Sequence, residues 1–289
     1  MPKNAELQKL VITQAKKTDE REWLSGVSVT LLQQSVADLG MAYKNFFSSL
    51  NGKPKGKKVG SPRFKKKTGR QSARFTLNSF SIKGDEVYLA KIGNVKPIWS
   101  RALPSEPSSV TAIKDCAGRY FLSFVVEVVP VNIPAIYASV GIDLGLKTFA
   151  VLSTGEKVSS PNYSKLDKRV RRKQRKLARQ VKGSKRRENT RRQIAKLHNQ
   201  IADTRKDFLH KLSTRVVNEN QVIALEDLNV SGLLKNRKLA RAISWQGWHE
   251  FRVFCEAKSQ KLEREFVVIN RWEPTSQGKF LLRLSMGQD

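Results

Sequence analysis

The spacing of apolar positions changes several times along the chain, and each change marks a new kind of element. Over residues 5–50, Leu24, Val27, Leu31, Val36, Leu39, Tyr43, Phe46 and Phe47 fall three and four apart, which lines one face of a helix, and Asn51-Gly52 supplies a stop. From 72 to 130 the period shortens to alternation. SARFTL, SFSIK, EVYLA, Ser109 to Ile113 and Tyr120 to Val129 read as strands, with turns at Gly84-Asp85 and Ala117-Gly118, so an antiparallel barrel or sandwich is expected. Pro130 and Pro134 mark a linker. Then YASVGIDLGLKTFAVLS, Tyr137 to Ser153, reads as an apolar hairpin, with Asp143 near its tip, a turn at Gly145 and a return strand from Phe149 to Leu152.

The second half of the chain alternates helix and strand patterns. Between Ser164 and Arg215, the residues Ile194, Leu197, Ile201, Phe208 and Leu212 keep helical spacing, and Gly183-Ser184 separates them from an earlier helix starting near Ser164. Two antiparallel helices with an apolar seam and an Arg/Lys outer face are expected. VIALEDL, Val222 to Leu228, is another apolar strand and delivers Glu226 beside Asp227. A helix over Leu239 to Arg264 places Trp248, Phe251, Cys255 and Leu262 on one face, and Phe266 to Ile269 reads as a last strand.

Charge narrows the class of partner. Lys and Arg number 55 against 25 Asp and Glu in 289 residues, a formal net charge of +30. A field of that sign favours polyanions, and nucleic acid is the commonest one in a cell. No run of about eighteen apolar residues would span a bilayer, and the N-terminus has no signal-peptide core, so the expectation is a cytoplasmic chain with no membrane partner. Residues 52–70, GKPKGKKVGSPRFKKKTGR, carry nine basic residues and no acidic one. Pro and Gly keep this stretch in loops, which makes Lys53, Lys55, Lys57, Lys58, Arg63, Lys65, Lys66 and Lys67 candidate phosphate contacts; Phe64 and Phe75 could pack or stack. Residues 164–215 carry 20 basic and 4 acidic residues. From that run Arg169, Arg172, Lys173, Lys176, Arg179, Arg186, Arg187 and Arg191 are further candidates, because an imbalance this large removes the intrahelical ion pairs of a merely solubilising face.

The chemistry-bearing candidates are few. Asp143 and Glu226 each end an apolar strand, about eighty residues apart, and two strand-borne carboxylates in a basic protein suggest a Mg²⁺ or Mn²⁺ site for cutting phosphodiesters. Asp227, the strand neighbour of Glu226, should point to the opposite face in a structural role. Two distant cysteines, Cys116 and Cys255, indicate neither a disulfide framework nor a four-cysteine zinc site. Cys255 reads as a small core filler. His198, His210 and His249 have no ligand spacing to one another.

Taken in order, GIDLG with TFAVLSTGEKV, then IALEDLNVSGLLKN, then INRWEPTSQ resemble the TnpB (OrfB) proteins of bacterial insertion sequences, over about residues 31–277. That family is related to the type V CRISPR effectors. The resemblance implies an RNase H-like (RuvC) α/β domain over 131–277, with the basic helical hairpin 164–215 inside it. Ahead of it the resemblance implies an OB-like wedge β-barrel domain over 51–130 and a helical recognition insertion over 1–50. It implies an RNA-guided DNA endonuclease with a guide RNA and a target DNA as partners, and it maps Asp143 and Glu226 onto the first two metal-binding acids of the RuvC-like site. The family's first barrel strand has no counterpart before the helical part, so either the start was assigned late or the copy is truncated. After Pro274 to Gln277 the family's two CxxC pairs of a zinc ribbon and its DRDxNAAxNI-like block, which carries the third acid, are also missing. Residues 278–289 are read as a non-family tail whose Asp289 makes a poor fixed ligand. The expectation is a truncated copy that binds nucleic acid and cuts poorly or not at all. The alternatives are a nuclease-dead RNA-guided DNA-binding regulator, or a ribosomal or RNA-chaperone-like basic protein if the two acids lie far apart.

Overall fold

A computed structural model describes residues 3–53, 58–66, 68–129 and 134–270. The chain forms two compact units, Met1–Val128 and Val129–Asp289.

In the first unit, helix α1 (Asn4–Gln8) runs into π-type and 3₁₀ turns over 9–26, and the regular helix of the region is α2 (Val29–Leu50). The even helix expected over 5–50 is broken at Thr18 and Val27, both of which take extended backbone. Asn51 caps α2, and Gly52 follows at φ +72°, in the left-handed region that suits glycine after a helix. Six strands follow: β1 (Gln71–Thr76), β2 (Phe80–Lys83), β3 (Glu86–Leu89), β4 (Gly93–Val95), β5 (Ser109–Lys114) and β6 (Tyr120–Val125). They make two three-stranded antiparallel sheets, ordered β1-β5-β6 and β2-β3-β4. Phe75, Val87, Leu89 and Val110 are buried between them, and Leu31 of α2 packs on the same cluster. The strand expected over Tyr120 to Val129 stops at Val125, opposite Ser109. Pro107 lies just beyond that register and has no N–H with which to extend the ladder. The three-residue β4 is too short to show a period.

The second unit is built on one five-stranded sheet. Strands β7 (Ser139–Leu144), β8 (Ala150–Leu152) and β9 (Lys157–Val158) form an antiparallel meander; β10 (Val222–Glu226) pairs parallel to β7, and β11 (Glu265–Ile269) parallel to β10. The spatial order is β11-β10-β7-β8-β9. At the turn after β7, Gly145 donates its N–H to the Phe149 carbonyl, and a Cβ on Gly145 would meet the Thr148 carbonyl oxygen at 2.9 Å. Glycine is required there by a close backbone approach.

Helices α3 (Ser164–Ala178) and α4 (Lys185–Glu219) form the expected hairpin. Val170 packs on Leu197 and Ile201, while the Arg187 guanidinium donates to the carbonyls of Leu177 and Gln180. The C-terminal half of α4 covers the sheet: Leu209, Leu212, Val216 and Val217 are buried against Val140, Ile142, Ile223 and Leu225. After the short α5 (Val230–Leu233), the single helix expected over Leu239 to Arg264 is two, α6 (Ala240–Gln246) and α7 (Trp248–Lys261). They break at Gly247, φ +73°, where the backbone presses on α4: a Cβ there would lie 3.0 Å from Arg205 Cδ and 3.1 Å from Leu209 Cδ1. Helix periodicity continues across this break, which is why the sequence alone does not reveal it.

Trp248, Phe251 and Cys255 of α7 are buried as expected, and burial pushes the Cys255 thiol up to about 12. Phe149 meets Phe208 and Phe251 edge-on at 5.1 and 5.4 Å. Lys258 binds α7 to α4 with all three ammonium protons, donating to His210 O, Ser213 Oγ and Thr214 Oγ1 at 2.6–2.7 Å. No described helix is long and apolar enough to cross a membrane.

Replacing Gly247 with alanine combines left-handed strain with the Arg205 and Leu209 contacts. The expected loss is about 1–3 kcal/mol of unfolding free energy, read by urea denaturation.

Candidate carboxylate centre and nucleic-acid interface

The parallel register of β10 on β7 pairs Val222 with Ser139, Ile223 with Val140, Ala224 with Gly141 and Leu225 with Ile142. One more step along both strands brings Glu226 level with Asp143, across a strand spacing of about 4.8 Å. Alternation then determines which side they share. Val140, Ile142, Ile223 and Leu225 point into the main core, so Asp143 and Glu226 stand on the other face, in line with the small residues Gly141 and Ala224. Their proximity shows in the electrostatics: partial burial, and then the Asp143 charge, raise the Glu226 carboxyl above its ordinary value. Two carboxylates so placed repel one another, and a divalent cation between them would relieve that repulsion.

Several contacts brace this pair. On the Asp143 side, Gly141 N–H donates to Ser153 Oγ at 3.1 Å and Ser153 N–H donates to Gly141 O at 2.8 Å, which fixes the hairpin ladder beside the acid. The buried Gln246, last residue of α6, donates its Nε2 to the Leu146 carbonyl in the turn after Asp143. Asp227 takes the structural role expected of it. Its N–H donates to Ile269 O, and its carboxylate accepts from Arg252 Nη1 of α7 at 2.6 Å.

The hairpin is tied to the same region. Buried Asp167 of α3 binds Arg171 at 2.5 Å and reaches Arg241 of α6 at 3.4 Å, and Tyr163 meets Trp245 edge-on at 6.0 Å. Thus α3, α6 and the Asp143 turn form one connected chain of contacts. Arg169, Arg172, Lys176, Arg179, Arg186 and Arg191 are exposed, as a phosphate-binding face requires. Lys173 is half-buried and donates to Gln193 Oε1 at 2.7 Å, while Arg187 is half-buried and caps the end of α3 through two carbonyls. Arg187 Nη1 is therefore engaged by the hairpin's own backbone. Intrahelical ion pairs do form, at Asp167–Arg171, Glu188–Arg192 and Asp207–Lys211, but so few acids leave most of the basic side chains in excess.

In the first unit, Lys53, Lys58, Arg63, Lys65 and Lys66 are exposed on irregular backbone. Phe64 is fully exposed, whereas Phe75 belongs to the core. Lys55, Lys57 and Lys67 lie outside the described residues, as do the Pro274 to Gln277 block and Asp289.

Among the described residues no group of three or more His, Cys, Asp or Glu side chains is gathered as a metal site. His210 stacks on Phe254 at 3.9 Å, and its pKa is lowered by burial, then by Lys258 and Lys206. His249 lies elsewhere, in a cleft of about 520 Å³ that Glu226 also lines. Nothing in the sequence spacing points to that neighbourhood, which arises only when α7 folds back beside the end of β10.

Residues 123–237, which contain both acids and the hairpin, match the OrfB_IS605 family, described as "Probable transposase". A Streptomyces pristinaespiralis protein named "Putative RNA-guided DNA endonuclease" is 44% identical over 271 residues, covering 92% of this chain and 65% of that protein. The similarly named InsQ of Escherichia coli K12 is 33% identical over 257 residues, covering 82% and 61%. The chain is a TnpB/OrfB family protein. It spans less than two thirds of the length of these curated relatives, 65% and 61%. Among solved structures, a Cas12f1–sgRNA–target DNA complex aligns with 84% of this chain and 61% of its own, at a TM-score of 0.48 and 12% identity.

The raised Glu226 pKa has a consequence for stability. Between its unfolded and folded pKa values the folded state holds the extra proton, so this group's contribution to stability falls as pH rises through that window. Without divalent cations, Glu226→Gln should melt above wild type at neutral pH, with the difference shrinking toward about pH 4, where carboxylates protonate anyway. Melting curves across pH read the effect directly.

Proposed function

We propose that the second unit is a RuvC-like nuclease domain of the RNase H type and that Asp143 and Glu226 are its divalent-cation ligands. The observation carrying this reading is their side-by-side placement at the carboxyl ends of the paired parallel strands β7 and β10. An antiparallel three-strand meander with two parallel strands added at its first strand also supports it. The donor set suits the cation: Mg²⁺ and Mn²⁺ prefer oxygen ligands, and Mg²⁺ is commonly held by one or two carboxylates together with substrate phosphate and water. The cation would lower the pKa of an attacking water and stabilise the leaving oxygen of a phosphodiester. This chain's own part is to hold two oxygens on rigid strand ends, with the Asp143 turn braced by Gln246 and Glu226 seated at the rim of the cleft. In the first unit, the two antiparallel sheets around Phe75 and Val110 are read as the OB-like wedge barrel, with α2 from its helical insertion.

The partners follow from the family and the charge. Relatives named for RNA-guided DNA cleavage, and a field of +30, favour a guide RNA and a target DNA, with Arg169, Arg172, Lys176, Arg179, Arg186 and Arg191 as a phosphate-binding wall. The acids are neighbours on one sheet, which speaks against a basic RNA-chaperone protein without a site. Since two carboxylates and no third metal-binding side chain come together among the described residues, the 289-residue polypeptide itself is read as a nucleic-acid binder that cuts slowly or not at all. The same observation favours a second reading, a guided DNA-binding regulator.

Replacing Arg169, Arg172 and Lys176 with alanine should weaken nucleic-acid binding and reduce the slope of log affinity against log salt by about three. Measured with the purified chain, guide RNA and target DNA, Mg²⁺-dependent cleavage should be at or near background. Robust cleavage lost in Asp143→Ala would support the centre but refute the inactivity, and robust cleavage retained in that variant would refute the centre.

A further inference from the structure

Where α3 meets α6, one buried acid holds two arginines. Asp167 has only 8% of its side chain exposed. Its Oδ2 accepts from Arg171 Nε and Nη2 of α3 at 2.6 and 2.5 Å, and from Arg241 Nη1 of α6 at 3.4 Å. Both arginines reach the same oxygen, so their guanidinium groups are neighbours although they come from different helices. Their side chains nonetheless stay 51% and 50% exposed. An arginine fork carries five N–H donors, and Asp167 engages only some of them, which leaves further donors on both half-exposed side chains.

The seat of this trio is rigid. Tyr163 and Val170 are buried with Leu197 and Ile201 of α4, and Leu166 and Trp245 pack on the same cluster. Two adjacent guanidinium groups repel one another, and the carboxylate between them offsets that repulsion and fixes where they stand. An ion pair serving only to join α3 to α6 needs the one arginine of α6. The second leaves the trio with a net positive charge, and the exposed Lys168 and Arg175, about one turn to either side of Arg171, continue the row on the same helix face. Paired forks match the oxygens of a phosphate, and the cations around them favour a chain of phosphates over an isolated one.

We propose that Arg171 and Arg241, oriented by Asp167, form a clamp for one backbone phosphate of a bound nucleic acid, bridging α3 and α6. The proposal rests on the reading of the chain as a nucleic-acid binder and is independent of the carboxylate centre. It gives an acid a part in binding an anion, so the clamp and plain electrostatics predict opposite signs for the loss of that acid.

The test measures binding of the full chain, without divalent cation, to a short fluorescein-labelled RNA and to a DNA of the same sequence by anisotropy. On net charge alone Asp167→Asn, which removes a negative charge, tightens binding. With the clamp it weakens binding by about three- to tenfold, because the two guanidinium groups lose the group that holds them together. Arg171→Lys and Arg241→Lys keep the charge and lose the fork, so each should weaken binding by a similar factor. The double lysine variant should cost less than the product of the two, since both grip one phosphate. Arg175→Lys, outside the clamp, should bind as wild type, and an equal loss there would show a general preference for arginine and overturn the clamp. Melting curves check folding; if Asp167→Asn does not fold, the lysine variants, at exposed positions, decide the matter by themselves. Tighter or unchanged binding in Asp167→Asn, or lysine variants that bind as wild type, would overturn the clamp and leave the nucleic-acid reading standing. A loss seen with RNA alone or with DNA alone identifies the strand that the clamp holds. Failure of the wild-type chain to bind either strand would overturn the nucleic-acid reading, and the clamp with it.

Discussion

The parallel pairing of β10 to β7 is the constraint on which the rest of the second unit depends. It joins two segments separated by the whole helical hairpin and sets their register, and the register decides which side chains share a face. A slip of one residue would turn Glu226 into the core and bring Leu225 level with Asp143. The register is secured from the other face. Val140, Ile142, Ile223 and Leu225 are all buried under α4, so a one-residue slip would bring Asp143 or Glu226 into that contact and expose apolar side chains. The carboxylates thus owe their position to hydrophobic burial on the opposite side of the sheet.

That arrangement has an electrostatic cost, which the structure places where it can be used. Partial burial, and then the neighbouring Asp143 charge, raise the Glu226 pKa, and the strand ends are braced through Gln246 and the Ser153–Gly141 contacts. Around them the sign reverses. Asp227 is neutralised by Arg252, the acids of α3 and α4 are mostly taken up by neighbouring basic residues, and a large excess of exposed Arg and Lys remains. On the proposed reading, this negative point within a positive surface would suit a cation that meets a polyanion.

Local pattern was a good guide wherever one element meets water on one side. The β7–β8 hairpin, the α3–α4 pair, the stop at Asn51-Gly52 and the turns at Gly84 and Gly118 all follow from alternation, helical spacing or positive-φ glycines. The misses came where a distant contact overrules local preference. Gly247 breaks a continuous helical pattern because α4 passes too close for a side chain, and β6 ends early because its partner strand begins after a proline. Neither of these can be seen in the spacing of one segment.

What the sequence by itself determined is the set of parts: two apolar strands each ending in an acid, a basic helical pair, and the family motifs that connect them, because period, charge and motif are properties of neighbouring residues. Only the tertiary structure decided that Asp143 and Glu226 face the same side at the same level, that Asp227 is spent on Arg252, and that His249 and Arg252 come to stand beside Glu226 around one cleft. Those facts depend on strand register and on α7 packing back over the sheet, and both are settled by burial among residues far apart in the chain.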